Sequence, residues 1–105
     1  MTVRNRYAKG YRNERKTIKL FTDRGYIVMR SGGSHGPWDL VALDPVSGGV
    51  VLVQCKTNRP PVTLSEDEVK SYHPEWSLVY VVWYDYARKP RVINAKTGDS
   101  LPLWS

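Results

Sequence analysis

Apolar residues recur at helical spacing near the start of the chain and gather in short runs after it. Four of them lie three, four or seven positions apart: Tyr7, Tyr11, Ile18 and Phe21. This spacing predicts a helix over about Asn5–Asp23 that ends at Gly25. Gly10 is either the true start of this helix or a weak point within it.

Short runs of β-branched and aromatic residues predict strands in the rest of the chain. The predicted strands are Tyr26–Arg30, Trp38–Leu43, Val50–Lys56, Leu78–Tyr84 and Arg91–Ala95. Before the fourth strand, Ser65 and Glu68 have the spacing of a capping box, which predicts a short helix that ends before Pro74. The segments Ser31–Pro37 and Asp44–Gly49 are Gly-containing connections. This order predicts an α/β fold in which helices flank a small mixed β-sheet.

Length and composition favour one intracellular domain over residues 1–105. No apolar run approaches the roughly 18 residues of a membrane span. The segment Met1–Arg6 lacks the apolar core of a secretory signal. The single cysteine, Cys55, excludes an intramolecular disulfide framework and a multi-cysteine zinc site. We therefore expect a reducing, cytoplasmic location and no membrane partner.

The positive charge is concentrated in the first third of the chain. The formal net charge is +6, and residues 1–30 hold nine Lys and Arg against two acids. Residues 31–105 hold seven Lys and Arg against eight acids. One-sided basic charge favours a polyanionic partner, with nucleic acid ahead of an anionic membrane surface. The alternative is a surface made basic only for solubility.

One acid interrupts the apolar stripe of the predicted first helix. At about 100° per residue, Glu14 falls on the stripe of Tyr11 and Ile18. Burying a carboxylate without a partner is costly. Glu14 is therefore either a functional acid or a carboxylate that pairs with Arg15 or Arg30 at the edge of the stripe.

A second acid lies at the start of the second strand. Strand alternation places Asp39 on the face opposite Trp38, Leu40 and Ala42. An Asp after a Gly-Pro loop can complete the turn, or it can face a cleft.

Two polar side chains leave the end of the third strand on one face. Gln54 and Lys56 share a face there, and Cys55 lies on the other face as a small buried filler. These residues either mark a strand leaving the core or form a site. If the two strands pair, Asp39 and Gln54 are neighbours, and their oxygens can bind a divalent cation such as Mg²⁺ beside Lys56.

Four ordered segments resemble a known superfamily, the PD-(D/E)xK nucleases. The segments are K-G-Y-R-N-E-R (Lys9–Arg15), M-R-S-G-G-S (Met29–Ser34), W-D-L-V-A (Trp38–Ala42) and V-Q-C-K-T (Val53–Thr57). Within the superfamily they are most similar to the archaeal-type Holliday junction resolvases, the Hjc-like family, over about Lys9–Arg59. The resemblance implies a restriction-endonuclease-like core.

The resemblance also implies roles for individual residues. The implied catalytic residues are Glu14 on the helix, the metal-binding Asp39, Gln54 where the family usually has Glu, the motif lysine Lys56, and Ser31 or Ser34 in the loop beside the scissile phosphate. The implied ligands of Mg²⁺, or of Mn²⁺ as a substitute, are Glu14, Asp39, Gln54 and the carbonyl of Cys55. The resulting Q-x-K motif is similar to that of Mrr-type restriction nucleases.

The implied function is a metal-dependent, structure-selective endonuclease that resolves four-way DNA junctions by phosphodiester hydrolysis. The expected phosphate contacts are Arg4, Arg6, Lys9, Arg12, Arg15, Arg30 and Arg59. A two-fold junction favours a homodimer, with either Leu78–Tyr84 or the tail ending at Trp104 at its interface; core packing is the alternative for both. The alternative functions are an Mrr-like or repair endonuclease on other DNA, and a non-catalytic basic DNA-binding module with the same fold.

Overall fold

A computed structural model describes residues 3–31 and 36–101 of the chain, with side chains from residue 10 onward. The helices and strands of this part are α1 Val3–Thr22, β1 Ile27–Arg30, β2 Leu40–Leu43, β3 Val50–Thr57, α2 Glu66–Lys70, β4 Ser77–Trp83 and β5 Arg91–Asn94. The predicted loop residues Ser34 and His35, and the predicted tail residue Trp104, lie outside the described residues.

The five strands form one mixed sheet in the order β1-β2-β3-β4-β5. The pairs β1–β2, β2–β3 and β4–β5 are antiparallel, and β3 pairs with β4 in parallel. A parallel pair needs a crossover connection, and residues 58–76, which include α2, supply it. The predicted fold class, a small mixed sheet flanked by helices, is confirmed.

Each face of the sheet carries its own apolar cluster. The cluster on the α1 face contains Phe21, Leu40, Ala42, Val51, Val53, Val79, Val81, Trp83 and Val92. The cluster on the opposite face contains Trp38, Leu52, Leu78, Tyr80, Val82, Ile93 and Ala95, and Leu64, Tyr72 and Trp76 pack against it. Strand β4 is an interior strand of the sheet and is buried on both faces. Of the two alternatives for Leu78–Tyr84, the structure therefore supports core packing.

The buried stripe of α1 differs from the predicted one. Tyr11, expected in the core, is 53% exposed, whereas the polar Asn13 and Thr17 are buried together with Phe21. Asn13, Thr17 and Phe21 are spaced by four residues and therefore share one side of the helix. Their polar groups are satisfied, because Asn13 Nδ2 donates to Thr57 Oγ1 at 2.8 Å and the hydroxyl of Thr17 donates to the Asn13 carbonyl at 2.7 Å. These hydrogen bonds offset the cost of burying the polar atoms of Asn13 and Thr17, so this side of the helix can face the core. The prediction that Tyr11 faces the core is therefore wrong.

The local helix signals agree with the structure. Helix α1 runs through Gly10 without interruption and ends before Gly25, which has a φ of +89°. The capping box is present, since Ser65 Oγ accepts from the Glu68 N–H at 3.2 Å and Glu68 Oε1 accepts from the Ser65 N–H at 3.0 Å. Helix α2 ends at Lys70. These boundaries depend on neighbouring residues, which is why sequence alone located them to within a few positions.

Candidate active site

Asp39 lies where strands β2 and β3 separate. Its N–H donates to the Val53 carbonyl at 2.8 Å, and its Oδ2 accepts from the Cys55 N–H at 2.8 Å. The register pairs Leu40 with Val53, so the ladder partner of the Cys55 N–H is the carbonyl of Trp38. The Asp39 carboxylate takes this place and ends the pairing of the two strands.

The same bonds shift the strand by one residue. The register already places the Val53 carbonyl opposite Leu40, and this carbonyl also accepts from the Asp39 N–H. Two residues of one strand therefore oppose one residue of β3, which is a β-bulge. Trp38 consequently packs on the face opposite Leu40 and Ala42, although the three residues alternate in sequence. The prediction that they share a face is wrong, because the extra residue at Asp39 moves the side chain of Trp38 to the other face of the sheet.

Ser31 follows β1 and is bound to the same turn of chain. Its N–H donates to the Asp39 carbonyl at 3.0 Å, and its hydroxyl donates to the Trp38 carbonyl, which the ladder has released. The predicted loop residue Ser31 therefore lies next to the backbone of Asp39. Its hydroxyl helps to hold the chain that presents the Asp39 carboxylate.

Glu14 reaches this end of the sheet from α1. Its Oε1 pairs with Arg30 Nε at 2.9 Å, and the Glu14 side chain is 27% exposed. The Arg30 guanidinium also lies 5.3 Å from the centre of the Tyr11 ring. Arg30 pairs with Leu40 in the sheet, so this ion pair lies beside the first residue of β2. Glu14 therefore pairs with Arg30 rather than with Arg15, and it lies at the edge of the helix stripe.

Cys55 lies between these acidic groups and the core. Burial raises the pKa of its thiol to about 12; a hydrogen bond with Thr17 opposes this shift, and the negative charges of Asp39 and Glu14 add to it. Both carboxylates are therefore close enough to act on one sulfur atom. A thiol that stays protonated is a poor nucleophile, and Cys55 packs against the α1-face cluster. Cys55 is therefore a filler of the core edge, as predicted, but it is partly rather than fully buried.

Gln54 and Lys56 project from β3 to the other side of its backbone. Leu52 belongs to the cluster on that side, so alternation places Gln54 and Lys56 there with it. Gln54 is half-buried and Lys56 is exposed. Among the described residues, neither side chain has a hydrogen-bond or ion-pair partner. The structure thus joins Asp39 to Cys55 by a hydrogen bond and places Glu14 where its charge acts on the same thiol, whereas Gln54 and Lys56 lie across the strand.

The oxygen atoms at this end of the sheet suit a hard divalent cation. Within residues 3–31 and 36–101, no group of three His, Cys, Asp or Glu side chains forms a metal cluster. Two carboxylates, an amide and a backbone carbonyl are nevertheless the ligand types of Mg²⁺, which keeps several of its waters. Oδ1 of Asp39 has no hydrogen-bond donor in the described part of the chain. By chemical type these donors suit the ion, but Gln54 lies across the strand from Asp39, and Arg30 competes with a cation for Glu14.

The predicted phosphate contacts are distributed along α1 and beyond β3. Arg12, Arg15 and Arg59 are exposed, and Arg30 is 48% exposed. Arg15 lies over the Tyr11 ring, with 5.8 Å between the guanidinium and the ring centre. The backbones of three further predicted contacts lie in α1, and their side chains are outside the described ones: Arg4, Arg6 and Lys9.

Sequence reasoning missed two residues that position the site. Asn13 joins α1 to the end of β3 through Thr57, and Thr17 accepts from the indole N–H of Trp83 at 2.8 Å. The i, i+4 spacing of Asn13 and Thr17 with Phe21 was the available signal. The first bond holds the helix that carries Glu14 against β3, which carries Gln54, and the second holds it against β4.

Comparisons with known proteins identify the family and the fold of the chain. A model of the archaeal Holliday junction resolvase (Hjc) family matches residues 5–76. Among solved structures, the chain is similar to Hjc of Archaeoglobus fulgidus, described as a Holliday junction resolvase from an archaeal hyperthermophile. The match has a TM-score of 0.59 and 22% identity, and covers 84% of this chain and 74% of that one. At this identity the structural match shows the fold alone.

The chain belongs to the archaeal Holliday junction resolvase family, since the family match spans well over half of its length. This confirms the resemblance found in the sequence, and with it the predicted class, a nuclease of the junction-resolving kind. The Q-x-K motif stays a prediction. No curated protein matches the chain. In the described residues, no helix has the length and apolar character needed to cross a membrane.

Proposed function

We propose that this protein is a metal-dependent endonuclease that resolves four-way DNA junctions, with Asp39 at its catalytic centre. Family membership supports the junction-resolving class. The observation that carries the assignment of the site is the Asp39 carboxylate, held by the Cys55 N–H at 2.8 Å where β2 and β3 separate. One oxygen orients the group, and the other is available for a ligand.

The chain supplies the ligands and the charge that phosphodiester hydrolysis needs. Asp39, Gln54, the Cys55 carbonyl and Glu14 would hold Mg²⁺ or Mn²⁺, with Glu14 binding directly or through water. A bound divalent ion polarises the scissile phosphate and lowers the pKa of a bound water. The ammonium of Lys56 stabilises the negative charge that develops on the phosphate, or orients the attacking water. Ser31 keeps the chain before Asp39 in place.

Gln54 changes the electrostatics of the metal site without removing an oxygen ligand. An amide oxygen donates an electron pair to the cation, but it lacks the negative charge of the usual Glu. Two unit charges 4 Å apart interact by about 4 kcal/mol at an effective dielectric constant of about 20. We therefore infer that Gln54 is a working ligand in a site with reduced metal affinity.

DNA binding is expected to depend on phosphate contacts. Exposed Arg12, Arg15 and Arg59 can bind the backbone without reading bases. Arg30 can exchange its bond with Glu14 for a phosphate, because the pair is partly exposed. Junction choice then follows from the shape of the DNA. We expect the protein to act inside the cell.

A homodimer fits the two-fold symmetry of a four-way junction. Strand β4 is buried in the core, so the dimer interface is expected on another surface. Edge strand β1 exposes two apolar side chains, Ile27 at 54% and Met29 at 49%. An exposed apolar edge strand favours association. Sedimentation of wild type and Met29→Glu tests this: a dimer that the variant weakens supports β1 at the interface, and a wild-type monomer contradicts the dimer.

Cleavage of matched DNA substrates tests the proposed function. A labelled four-way junction and a linear duplex of the same sequence are incubated with the protein and Mg²⁺ or Mn²⁺, and with EDTA as a control. Symmetric metal-dependent nicks in the junction alone support resolution. Equal cutting of both substrates favours the Mrr-like or repair alternative. Salt-sensitive binding without cutting favours a non-catalytic DNA-binding module.

A further inference from the structure

A hollow lies between α1 and the connection from β4 to β5. Its volume is about 200 Å³, and its lining includes Arg12, Lys16, Trp83 and Asp85. Arg12 and Lys16 are each two residues from Glu14, which is about 200° around the helix. The hollow therefore opens on the side of α1 that faces away from the ion pair of Glu14. Of the residues that line it, only Arg12 is among the phosphate contacts predicted above.

An aromatic pair lies beside the hollow, since Tyr84 lines it and Tyr86 lies between two further lining residues, Asp85 and Ala87. The rings of Tyr84 and Tyr86 lie 5.3 Å apart at an angle of 39°. Tyr86 is 84% exposed, and Tyr84 is half-buried beneath it. The Ala87 N–H donates to the Tyr84 carbonyl at 3.1 Å, which closes the turn that presents Tyr86. A supported ring with a free face is suited to stack on another flat ring.

The cations of this surface are available to an anion. Lys16 Nζ lies 5.2 Å from the centre of the Trp83 ring, which leaves the rest of its ammonium open. Neither Arg12 nor Lys16 has an acidic partner among the residues the structure describes. Arg88, in the turn after Tyr86, lines an adjoining hollow together with Lys16 and with Lys19, which pairs there with Asp23 at 2.9 Å. The two hollows share Lys16 and Trp83 and form one groove, which is bordered by positive charge from α1 and from the turn at Arg88.

The acidic residue in the hollow is held by its own partner. Asp85 Oδ2 accepts from Asn58 Nδ2 at 2.8 Å, and the Asp85 N–H donates to Asn58 Oδ1 at 2.9 Å. The Asn58 N–H also donates to the Trp83 carbonyl at 2.8 Å. Asn58 has a φ of +62°, in the left-handed region that this residue tolerates. These bonds fix the connection after β4 and occupy one oxygen of the Asp85 carboxylate.

We propose that this groove binds single-stranded DNA, with Tyr86 stacking on an unpaired base and Arg12, Lys16 and Arg88 contacting phosphates. Aromatic rings beside a positively charged groove are the usual way to bind single strands. A duplex offers few open base faces, so stacking selects for unpaired nucleotides. Such nucleotides occur at branch points. This site is separate from the proposed catalytic centre and needs no metal.

Fluorescence anisotropy in EDTA tests the stacking contact. The probes are a labelled oligo-dT of about 12 nucleotides, within the site size of such grooves, and a duplex of equal length. Tyr86→Ala is expected to weaken oligo-dT binding by about tenfold and duplex binding by less than about twofold, whereas Tyr86→Phe binds as the wild type does. Unchanged oligo-dT binding by Tyr86→Ala, or equal weakening for both probes, overturns the proposal.

Two variants that each remove one lysine test the phosphate contacts. Lys16→Ala is expected to lower the salt dependence of oligo-dT binding by roughly one counterion. Lys70→Ala removes the same charge from α2, where Lys70 lies near Glu66, and should change nothing. Equal effects of the two variants indicate a diffuse electrostatic surface and contradict the groove. Because no cleavage is measured, these results are independent of the proposed catalytic function.

Discussion

The carboxylate of Asp39 accepts a hydrogen bond from the backbone N–H of Cys55 at 2.8 Å. In a regular sheet this N–H would donate to a backbone carbonyl of the neighbouring strand. One hydrogen bond therefore does two things: it ends the pairing of β2 with β3, and it fixes the orientation of an acid at the opening. A carboxylate bound through one oxygen keeps the other for a ligand. The metal site we propose is built on this contact.

Replacing Gln54 by Glu should strengthen metal binding. The substitution adds a negative charge next to a dication, and such charges interact strongly at short distance. We expect the Kd for Mn²⁺, measured by calorimetry, to fall by about tenfold or more.

Gln54→Leu is the matched control, because it removes the oxygen ligand while keeping a side chain of similar size. It should weaken Mn²⁺ binding. If Gln54→Glu and Gln54→Leu both bind Mn²⁺ as the wild type does, Gln54 is not a ligand.

Removing Arg30 should change binding more than stability. The Arg30–Glu14 pair is partly exposed, so Arg30→Ala is expected to cost less than about 1 kcal/mol of unfolding free energy. Loss of the competing cation should raise the affinity for Mn²⁺, and loss of a phosphate contact should lower the affinity for DNA. Urea unfolding, calorimetry and anisotropy measure the three effects. Unaltered affinities for both Mn²⁺ and DNA would show that Arg30 is only a surface residue.

The buried hydroxyl of Thr17 should contribute to the stability of the fold. It accepts from the Trp83 indole at 2.8 Å, and Thr17 is fully buried. Thr17→Val keeps the shape but leaves a buried N–H without an acceptor, which costs about 1–3 kcal/mol. Thr22→Val is the control on the same helix, since Thr22 is exposed. Equal unfolding midpoints in urea for the two variants would contradict this role.

Tyr80 should make stability fall at high pH. Burial, with smaller contributions from Glu68 and Tyr72, raises the pKa of its phenol, whose hydroxyl donates to the Val62 carbonyl at 2.9 Å. Above about pH 10 the tyrosine of the unfolded chain ionises first, so the stabilisation is complete below that pH and is lost as the pH rises through the folded pKa.

Tyr80→Phe should therefore be less stable by about 1 kcal/mol at neutral pH, with a gap to wild type that narrows above about pH 10. Urea unfolding as a function of pH measures the gap. Tyr86→Phe, the same change at an exposed ring, should show neither effect. A gap for Tyr80→Phe that stays constant to the highest accessible pH would contradict the linkage.

Local signals in the sequence were sufficient for most of the fold. Runs of β-branched residues marked the strands, and the spacing of Ser65 and Glu68 marked the start of α2, because these features depend on neighbouring residues. The core side of α1 was predicted wrongly. Asn13 and Thr17 are buried and form hydrogen bonds with residues 44 and 66 positions away in sequence. A local sequence pattern does not reveal hydrogen bonds between such distant residues.

In the candidate site, too, the features that depend on local sequence were predicted and those that depend on distant contacts were not. Asp39, Gln54 and Lys56 were predicted because polar residues interrupted strand patterns, and Glu14 because it interrupted a helix stripe. The flip of Trp38 could not be predicted, since it follows from a hydrogen bond between the Asp39 side chain and another strand. The groove beside Tyr86 was also missed, because it joins α1 to a connection more than sixty residues later.

The most direct test of the catalytic site is junction cleavage by Asp39→Asn. The amide oxygen can still accept the Cys55 N–H, so the strand ends should keep their geometry while the charge is lost. We predict a fall in the Mg²⁺-dependent cleavage rate of about 100-fold or more, with junction binding in EDTA retained. Cleavage by Asp39→Asn at the wild-type rate would contradict the account.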